Sequence, residues 1–294
     1  MAQSIRPRRS VLYMPASNPK VLEKARQLPA DGLIFDLEDA VAPDAKSRAR
    51  ELAAKAAHSK HYGARERIVR INGLDTEWAS SDIARLAESG ANALLVPKVE
   101  NAATVREVES RMIKHGANDE MAIWCMIETP MGVLHAEEIA AASPRMGCLV
   151  MGTSDLTVDL HAAHTANREP MHHSLSHTIL VARAYGLAVL DGVSLGLGGT
   201  LDYARQCKQG AELGFDGKTC FHPSQLAAAN EAFSPSAESI AWARKITAAF
   251  AEISREGKAV VLVDGELIEN LHIENAKRLI ALADAIETLQ ASAG

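Results

Sequence analysis

The chain has 294 residues, of which 47% are hydrophobic and 4% aromatic, and its formal net charge is −6. This length suits one barrel-sized domain with a modest appendage. The negative charge and the few aromatic rings give no reason to expect a nucleic-acid partner. No apolar run approaches the roughly 20 residues of a membrane span, and no signal-peptide core follows the basic start. Four scattered cysteines without a CxxC pair favour a reducing cytoplasm.

Eight short apolar runs alternate with helix-forming stretches along residues 1–230. Near-continuous apolar strands separated by helices are typical of a parallel sheet that is covered on both faces. Eight such repeats predict a (β/α)8 TIM barrel, and an open doubly wound sheet is the structural alternative. The predicted strands are Ser10–Pro15, Gly32–Glu38, Arg67–Asn72, Ala93–Val99, Ala122–Glu128, Cys148–Asp155, Ala188–Val193 and Phe215–Phe221.

Residues 231–294 differ in character from the repeats. Ile240–Glu256 and Asn270–Thr288 are predicted helices, and Gly257–Glu269 between them is predicted as a short strand with a turn. This helical appendage is too small for an independent domain. We therefore expect it to pack on the barrel or on a neighbouring subunit.

Two consecutive predicted strands each deliver an acid, Glu128 and Asp155. Neighbouring parallel strands lie about 4.8 Å apart, so two carboxylates at the same height can share one cation. Mg²⁺ commonly takes one or two carboxylates and completes its octahedron with water and substrate oxygens. The pair therefore predicts a magnesium site. The alternative is that each acid forms a separate salt bridge with Arg70, Lys98 or Lys218.

Charged residues lie at the same end of most other predicted strands, which is the active-site face of a TIM barrel. Arg70 alternates with apolar neighbours, so its side chain should face the barrel interior, where it can bind a carboxylate or an enolate oxygen. An ion pair with Asp36 or Glu38 is the structural alternative. The other charged residues at these ends are Asp39, Lys98, Asp191 and Lys218.

A group of histidines follows the sixth predicted strand. Their spacing does not match the HExxH pattern of a zinc site. We interpret them as part of a polar loop over the barrel mouth. The residues are His161, His164, His172, His173 and His177.

Seven motifs are distributed along the predicted barrel, namely RRSVLYMPASNPKVLEKA, GLIFDLEDAV, RINGLDTEW, LLVPKVE, MIETPMGV, MGTSDL and FDGKTCFHPSQ. Together they resemble the citrate lyase beta-subunit-like branch of the HpcH/HpaI aldolase superfamily, which includes malyl-CoA and citramalyl-CoA lyases. The similarity runs from about Arg8 to Phe233, nearly the whole predicted barrel. It implies a TIM barrel in a homotrimer or hexamer, with Mg²⁺ and CoA-thioester substrates.

The resemblance also implies roles for individual residues. Glu128 and Asp155 resemble the metal ligands, and Glu128 would also contact the substrate. Arg70 resembles the substrate-binding arginine of the catalytic centre, with acidic residues around it. The opening segment resembles the part that meets the phosphates of CoA. The further candidates are Asp36, Glu38 and Asp39 for the acidic surroundings, and Lys20 and Lys98 for substrate binding.

One stretch departs from the family pattern. Malyl-CoA and citramalyl-CoA lyases carry an Asp in a Gly-Ser-Met-Ile-Asp-like stretch near the C-terminus, which reaches the active site of a neighbouring subunit as acid/base. Here the stretch is Gly265-Glu-Leu-Ile-Glu269, so the acid is one methylene longer. We predict that Glu269 takes this role, and Asp264 is the alternative.

The resemblance therefore predicts a Mg²⁺-dependent carbon–carbon lyase. Its substrate would be a 3-hydroxyacyl-CoA such as malyl-, methylmalyl-, citramalyl- or citryl-CoA, cleaved to a 2-oxo acid and an acyl thioester or formed from them. Two alternatives remain because of the changed acid. The first is a malyl-CoA-type thioesterase, and the second is a citryl-acyl-carrier-protein lyase subunit that works in a complex with acyl carrier protein.

Overall fold

All eight predicted strands form, and they close into a barrel in chain order. Every neighbouring pair runs parallel, including the first and last strands, whose pairing closes the barrel and excludes the open sheet. The TIM-barrel prediction is confirmed. The strands are β1 Ser10–Pro15, β2 Gly32–Asp36, β3 Glu66–Arg70, β4 Ala93–Val96, β5 Ala122–Ile127, β6 Met146–Met151, β7 Ala188–Asp191 and β8 Gly217–Cys220.

This computed structural model describes residues 5–194, 196, 200–254 and 260–292. The chain divides into two units, one of Arg8–Phe233 and one of Met1–Pro7 with Ser234–Gly294. The helices of the barrel unit are α1 Pro19–Lys24, α2 Lys46–His58, α3 Ala79–Leu86, α4 Ala102–Lys114, α5 Pro130–Leu134, α6 Ala136–Ala140, α7 Thr153–Asp159, α8 His172–Ala184, α9 Thr200–Leu213 and α10 Leu226–Ala232. Within the described ranges, no helix is long and apolar enough to cross a membrane.

Alternate residues of each strand face the barrel interior or the surrounding helices, because side chains alternate along a strand. The interior cluster includes Val11, Ile34, Ile68, Trp124 and Val150. The residues between them belong to a larger cluster shared with the helices, which includes Leu12, Phe35, Val69, Cys125 and Leu149. This parity decides which charged residues at the strand ends reach the mouth of the barrel.

The second unit consists of α11 Ala237–Ser254, β9 Val260–Val263, β10 Glu266–Glu269 and α12 Asn270–Ala291. The two helices pack on each other, and the two strands form an antiparallel hairpin where the sequence predicted a single short strand. Ala243, Ile246, Val263, Ile268, Ile273 and Ala276 form its core. Large apolar side chains of the hairpin and the start of α12 remain exposed, namely Val260, Leu262, Leu267 and Leu271.

Candidate active site

A cavity of about 360 Å³ lies at the carboxyl ends of the barrel strands. Tyr13, Asp36, Arg70 and Met126 line it from the ends of β1, β2, β3 and β5, and Asp155 lines it from α7. The four strand residues continue the inward-facing positions of their strands, since each lies two residues after an interior apolar residue. The cavity therefore occupies the place where TIM-barrel enzymes carry their active sites.

The Arg70 guanidinium is held in a fixed position. Its Nε lies 2.7 Å from Asp36 Oδ1 and its Nη2 lies 2.6 Å from Asp36 Oδ2, which is a bidentate ion pair. Its Nη1 is 2.7 Å from Glu38 Oε2, and the guanidinium lies 5.0 Å from the centre of the Tyr13 ring. The structure thus shows the ion pairs that were the alternative for Arg70. They do not exclude substrate binding by Arg70, which stays a prediction.

Glu128 follows β5 and its side chain is almost fully buried. Its Oε1 accepts a hydrogen bond from the backbone N–H of Lys98 at 2.7 Å. Lys98 has a φ of +49°, an unusual backbone conformation for a residue with a side chain. Gly152 makes room for the carboxylate, because a Cβ at that position would lie 2.4 Å from Glu128 Oε2. Glu128 is therefore positioned by its backbone surroundings and is not paired in an arginine clamp.

Burial raises the pKa of Glu128 to about 8. The Lys98 N–H opposes this rise, and the negative charges of Glu38 and Asp155 add to it. Burial likewise raises the pKa of Glu38 to about 7, although Arg70 acts in the opposite direction. Here we call Asp36, Glu38, Arg70 and Glu128 the mouth cluster. It contains three carboxyl groups and one guanidinium, so a bound cation would relieve the repulsion among the carboxylates.

Asp155 lies in the first turn of α7 and is exposed, whereas the sequence predicted it at the end of a strand. The strand ends at Met151 because Gly152 and Thr153 turn the chain into the helix. No ion pair involves Asp155 within the described parts of the chain. Glu128 packs against Gly152, three residues before Asp155, and the negative charge of Asp155 raises the pKa of Glu128.

The donor set fits Mg²⁺. Asp155 lines the cavity, and Glu128 Oε2 packs against Gly152, which lines it too. Mg²⁺ commonly takes one or two carboxylates with water and substrate oxygens. Among the described residues there is no group of three or more His, Cys, Asp or Glu side chains that could hold a metal. The residues therefore suit an oxygen-liganded ion that keeps several coordination positions open for water or substrate.

A buried lysine that the sequence analysis did not identify supports the acidic loop after β2. Lys46 Nζ donates to the carbonyl oxygens of Leu37 at 2.8 Å and Glu38 at 3.0 Å, and to Asn72 Oδ1 at 2.6 Å. These three bonds use all its donors. The Asn72 amide in turn donates to Asp82 at 2.6 Å. Lys46 lies ten residues beyond β2, so its sequence position gave no signal of this role.

Asp191 and Lys218 do not reach the mouth, although the sequence placed them at its strand ends. They alternate with the interior residues of β7 and β8 and therefore face the helices, where both are fully buried. Lys218 Nζ lies 2.9 Å from Asp191 Oδ2, and Arg168 Nη1 lies 2.7 Å from Asp191 Oδ1. We call Asp191, Arg168 and Lys218 the outer cluster. It is a closed ion-pair network on the outside of the barrel.

The remaining predicted site residues are exposed. Lys98 follows β4 at the mouth, and Lys20 lies in α1, which directly follows the carboxyl end of β1. Burial would lower the pKa of Lys98, but the nearby carboxylates, with Glu38 the largest contributor, raise it. Their substrate contacts stay predictions. The prediction that the five histidines belong to one polar loop is partly wrong, because His172, His173 and His177 belong to α8.

Glu269 and Asp264 belong to the second unit. Glu269 is exposed and caps α12, with its backbone N–H donating to His272 Nδ1 at 3.0 Å and its side chain accepting from the His272 N–H. Asp264 lies in the hairpin turn and is paired with Lys245. The acid/base role of either residue is not tested by these contacts.

The family model of HpcH/HpaI aldolase/citrate lyase matches residues 9–223. That match covers most of the chain, so the protein belongs to the HpcH/HpaI aldolase/citrate lyase family, and the resemblance based on its motifs is confirmed. The chain is 45% identical over 292 residues to the (3S)-malyl-CoA thioesterase of Cereibacter sphaeroides, covering 99% of this chain and 100% of that protein.

Two further proteins that are similar to this chain are a lyase and a protein of known structure. The chain is 32% identical over 300 residues to the L-malyl-CoA/beta-methylmalyl-CoA lyase of Rhodobacter capsulatus, covering 94% of each protein. A solved structure of the protein CitE from Mycobacterium tuberculosis, in complex with magnesium, acetoacetate and coenzyme A, has a TM-score of 0.73 at 30% identity. The similarity covers 94% of this chain and 97% of that chain. Enzymes of this family therefore include both a thioesterase and a lyase.

Proposed function

We propose that this protein is a Mg²⁺-dependent enzyme that hydrolyses the thioester of malyl-CoA or a closely similar 3-hydroxyacyl-CoA. The observation that carries the reaction is the 45% identity to a (3S)-malyl-CoA thioesterase along essentially the full length of both proteins. The acidic barrel mouth, with one fixed guanidinium and two carboxylates available to a cation, supports the substrate class.

Glu128 and Asp155 would hold the Mg²⁺ ion at the mouth. When bound, Mg²⁺ supplies positive charge that stabilises negatively charged oxygen atoms of the substrate and lowers the pKa of a water molecule bound to it. This fits the relative of known structure that was solved with magnesium, acetoacetate and coenzyme A. The raised pKa of Glu128, about 8, means that a cation must displace a proton from this carboxyl group at neutral pH.

Arg70 would bind the free carboxylate of the substrate or the thioester oxygen. Its bidentate pair with Asp36 fixes the plane of the guanidinium before a substrate arrives, so little rotamer freedom is lost on binding. The cavity of about 360 Å³ is large enough for a four-carbon acyl group. The buried walls around Arg70 strengthen its attraction for an anion.

Hydrolysis forms a bond between a water oxygen and the thioester carbon and breaks the carbon–sulfur bond. The water loses a proton to a base, and the CoA sulfur leaves and takes up a proton, so malate and free CoA are produced. Glu38 has the pKa that suits a base at neutral pH, about 7. Glu269 from a neighbouring subunit is the second candidate for proton transfer, because its carboxylate is exposed and held in place by the cap of α12.

Carbon–carbon cleavage is the second candidate function. The 32% identity to L-malyl-CoA/beta-methylmalyl-CoA lyase favours it, since the same donors can stabilise an enolate oxygen as well as a tetrahedral intermediate. In this reaction a base takes the hydroxyl proton and the carbon–carbon bond breaks to give a 2-oxo acid and a thioester enolate. The enolate then takes up a proton to give an acyl-CoA.

One assay distinguishes these reactions. Purified protein is incubated with malyl-, methylmalyl- and citramalyl-CoA, with Mg²⁺ or with EDTA, and free thiol and 2-oxo acid are measured in the same sample. Hydrolysis releases free thiol without 2-oxo acid, and cleavage releases 2-oxo acid without free thiol. If no CoA ester yields either product, the proposal is contradicted. The remaining alternative is then a subunit that depends on an acyl carrier protein. Full activity in EDTA would contradict the metal requirement.

Co-expression tests the neighbouring-subunit role of Glu269 in a homotrimer or hexamer. Exposed Leu262, Leu267 and Leu271 beside it give this region an apolar surface that suits association with another copy. If the site is shared, Glu128→Gln and Glu269→Gln chains are each inactive alone but regain part of the activity as mixed oligomers. Mixed oligomers as inactive as the separate variants would contradict a shared site.

A further inference from the structure

Tyr13 lines the cavity, and its hydroxyl group has no strong hydrogen-bond acceptor among the described residues. Its contact within the described chain is Met126 Sδ at 3.7 Å, and a thioether sulfur is only a weak acceptor. The ring is half-buried at the end of β1 and packs against the Arg70 guanidinium. A half-buried hydroxyl normally finds a better acceptor, so this donor is available for a ligand in the cavity.

The surroundings of Tyr13 keep its hydroxyl protonated. Burial raises the pKa of Tyr13 well above its usual value; Arg70 lowers it, and the negative charges of Glu128, Asp36 and Glu38 raise it further. Tyr13 therefore acts as a hydrogen-bond donor throughout the physiological pH range. Tyr13 lines the same cavity as Arg70 and Asp155.

We propose that Tyr13 Oη donates a hydrogen bond to the thioester carbonyl oxygen of the substrate while that oxygen gains negative charge. This inference rests on the proposed function. A neutral donor packed beside a fixed guanidinium forms a pair of groups that can stabilise a developing oxyanion. The same contact serves the tetrahedral intermediate of hydrolysis and the enolate of carbon–carbon cleavage, so it does not depend on which reaction occurs.

Substitution of Tyr13 by Phe removes the hydroxyl and keeps the ring that packs against Arg70. Tyr62 provides a matched control, because its hydroxyl is buried among the outer core residues and donates to the Leu22 carbonyl oxygen at 2.9 Å. We expect Tyr13→Phe to lower kcat about 100-fold, the usual loss for one oxyanion donor, with KM and the melting temperature near those of the wild type. Tyr62→Phe should keep wild-type kcat.

Infrared difference spectra provide a second measurement that needs no turnover. The probe is acetyl-CoA labelled with ¹³C at its thioester carbonyl, bound to the Mg²⁺-loaded protein. A hydrogen bond from Tyr13 lowers the carbonyl stretching frequency, so the frequency should rise in Tyr13→Phe and stay at the wild-type value in Tyr62→Phe. A pH profile of kcat with unchanged shape in Tyr13→Phe would agree with a donor that does not titrate.

The outcomes separate this inference from the proposed function. If Tyr13→Phe retains wild-type turnover and the carbonyl frequency does not change, the role of Tyr13 is overturned and the proposed function stands. A wild-type protein that neither turns over the CoA esters nor binds acetyl-CoA overturns both. A loss of activity in Tyr13→Leu but not in Tyr13→Phe would show that the ring supports Arg70 and that the hydroxyl is not used.

Discussion

The mouth cluster and the outer cluster are both buried groups of charges at the ends of barrel strands, but their charge balance is opposite. The outer cluster holds one carboxylate between two cations, and both carboxylate oxygens accept hydrogen bonds from them. The mouth cluster holds three carboxyl groups and one guanidinium, which pairs with two of them, and it opens into a cavity. The carboxylate of the outer cluster is fully paired within the chain, whereas the mouth cluster has more carboxyl groups than cations.

The pKa shifts of the carboxyl groups follow this difference. Burial would raise the pKa of Asp191, but Lys218 and Arg168 hold it below its usual value. Burial raises the pKa of Glu128 to about 8, and the Lys98 N–H and the positive charge of Arg70 offset only part of this rise. A perturbed carboxyl group beside a cavity is typical of a functional site, while a neutralised one inside the protein is typical of a structural ion pair.

The largest effect should come from Glu128→Gln at the mouth. The change removes a negative charge from the pair that would bind Mg²⁺ while keeping the shape of the side chain. We expect activity to fall by about 1,000-fold or more, equivalent to about 4 kcal/mol of transition-state stabilisation. The free energy of unfolding should stay the same or increase, because a buried carboxyl group with a raised pKa is removed. Activity assays and urea unfolding check the two expectations.

The control for this variant is Glu51→Gln. Glu51 is an exposed residue of α2, paired with Arg85 at 3.0 Å, and surface ion pairs contribute little. It should keep both activity and stability. If Glu128→Gln loses stability and keeps activity, then Glu128 serves the fold and the contrast between the two clusters is wrong.

Asp191→Asn in the outer cluster should produce the opposite result. The change leaves Lys218 and Arg168 buried without their negative partner, and breaking a buried ion pair typically costs about 3–5 kcal/mol. We expect a large fall in melting temperature, with kcat near the wild-type value at a temperature where the variant is folded. A stable but inactive Asp191→Asn protein would place this cluster in the catalytic machinery.

The sequence predicted the barrel and the residues of the mouth better than it predicted their contacts. Apolar runs between helices were sufficient for the eight strands, and the alternation around Arg70 correctly placed it inside. The same alternation puts Asp191 and Lys218 outside, which a list of charged strand ends does not reveal. The predicted end of the sixth strand also placed Asp155 wrongly, because the point where β6 ends depends on the turn at Gly152.

Long-range contacts were not predictable from local pattern. Lys46 supports the loop that follows β2, and its role depends on the fold of α2 against Asn72. Tyr13 and Met126 occupy inward positions at the mouth that read as ordinary core residues in the sequence. Their parity with the interior residues of β1 and β5 is a signal that could have identified them.

A glycine packs against one carboxyl group of each cluster, which allows a matched comparison. A Cβ at Gly152 would lie 2.3 Å from Glu128 Cβ, and a Cβ at Gly210 in α9 would lie 2.9 Å from Asp191 Oδ2. Gly152→Ala should displace Glu128 and lower activity about 100-fold, since a shift of about 1 Å at a reacting site can cost that much. Gly210→Ala should leave activity unchanged.

The effect of Gly210→Ala on stability should be small. Overpacking typically costs about 1–3 kcal/mol, and the higher helix propensity of Ala offsets about 1 kcal/mol of this. Thermal unfolding and kcat of the two variants complete the comparison. Equal losses of activity in both would show that the clusters are coupled through the barrel wall.

The smallest effect concerns pH. The pKa of Glu38, about 7 in the folded protein, is raised above its ordinary value of 4.5. Between these values the folded protein retains a proton that the unfolded chain has released, so this group makes the metal-free protein less stable as pH rises from 4.5 to 7. Glu38→Gln should remove that part of the slope.

Asp191 contributes with the opposite sign. Its pKa is lowered in the folded protein, so the stability it contributes is present above its unfolded pKa and is lost as pH falls through the lower value. Urea unfolding in EDTA at pH 2 to 8 measures both slopes in the wild type, Glu38→Gln and Asp191→Asn. The mouth cluster should lose stability toward high pH and the outer cluster toward low pH. Parallel profiles for wild type and Glu38→Gln would show that Arg70 keeps Glu38 ionised, so that the charge of the mouth cluster is more balanced than its burial indicates.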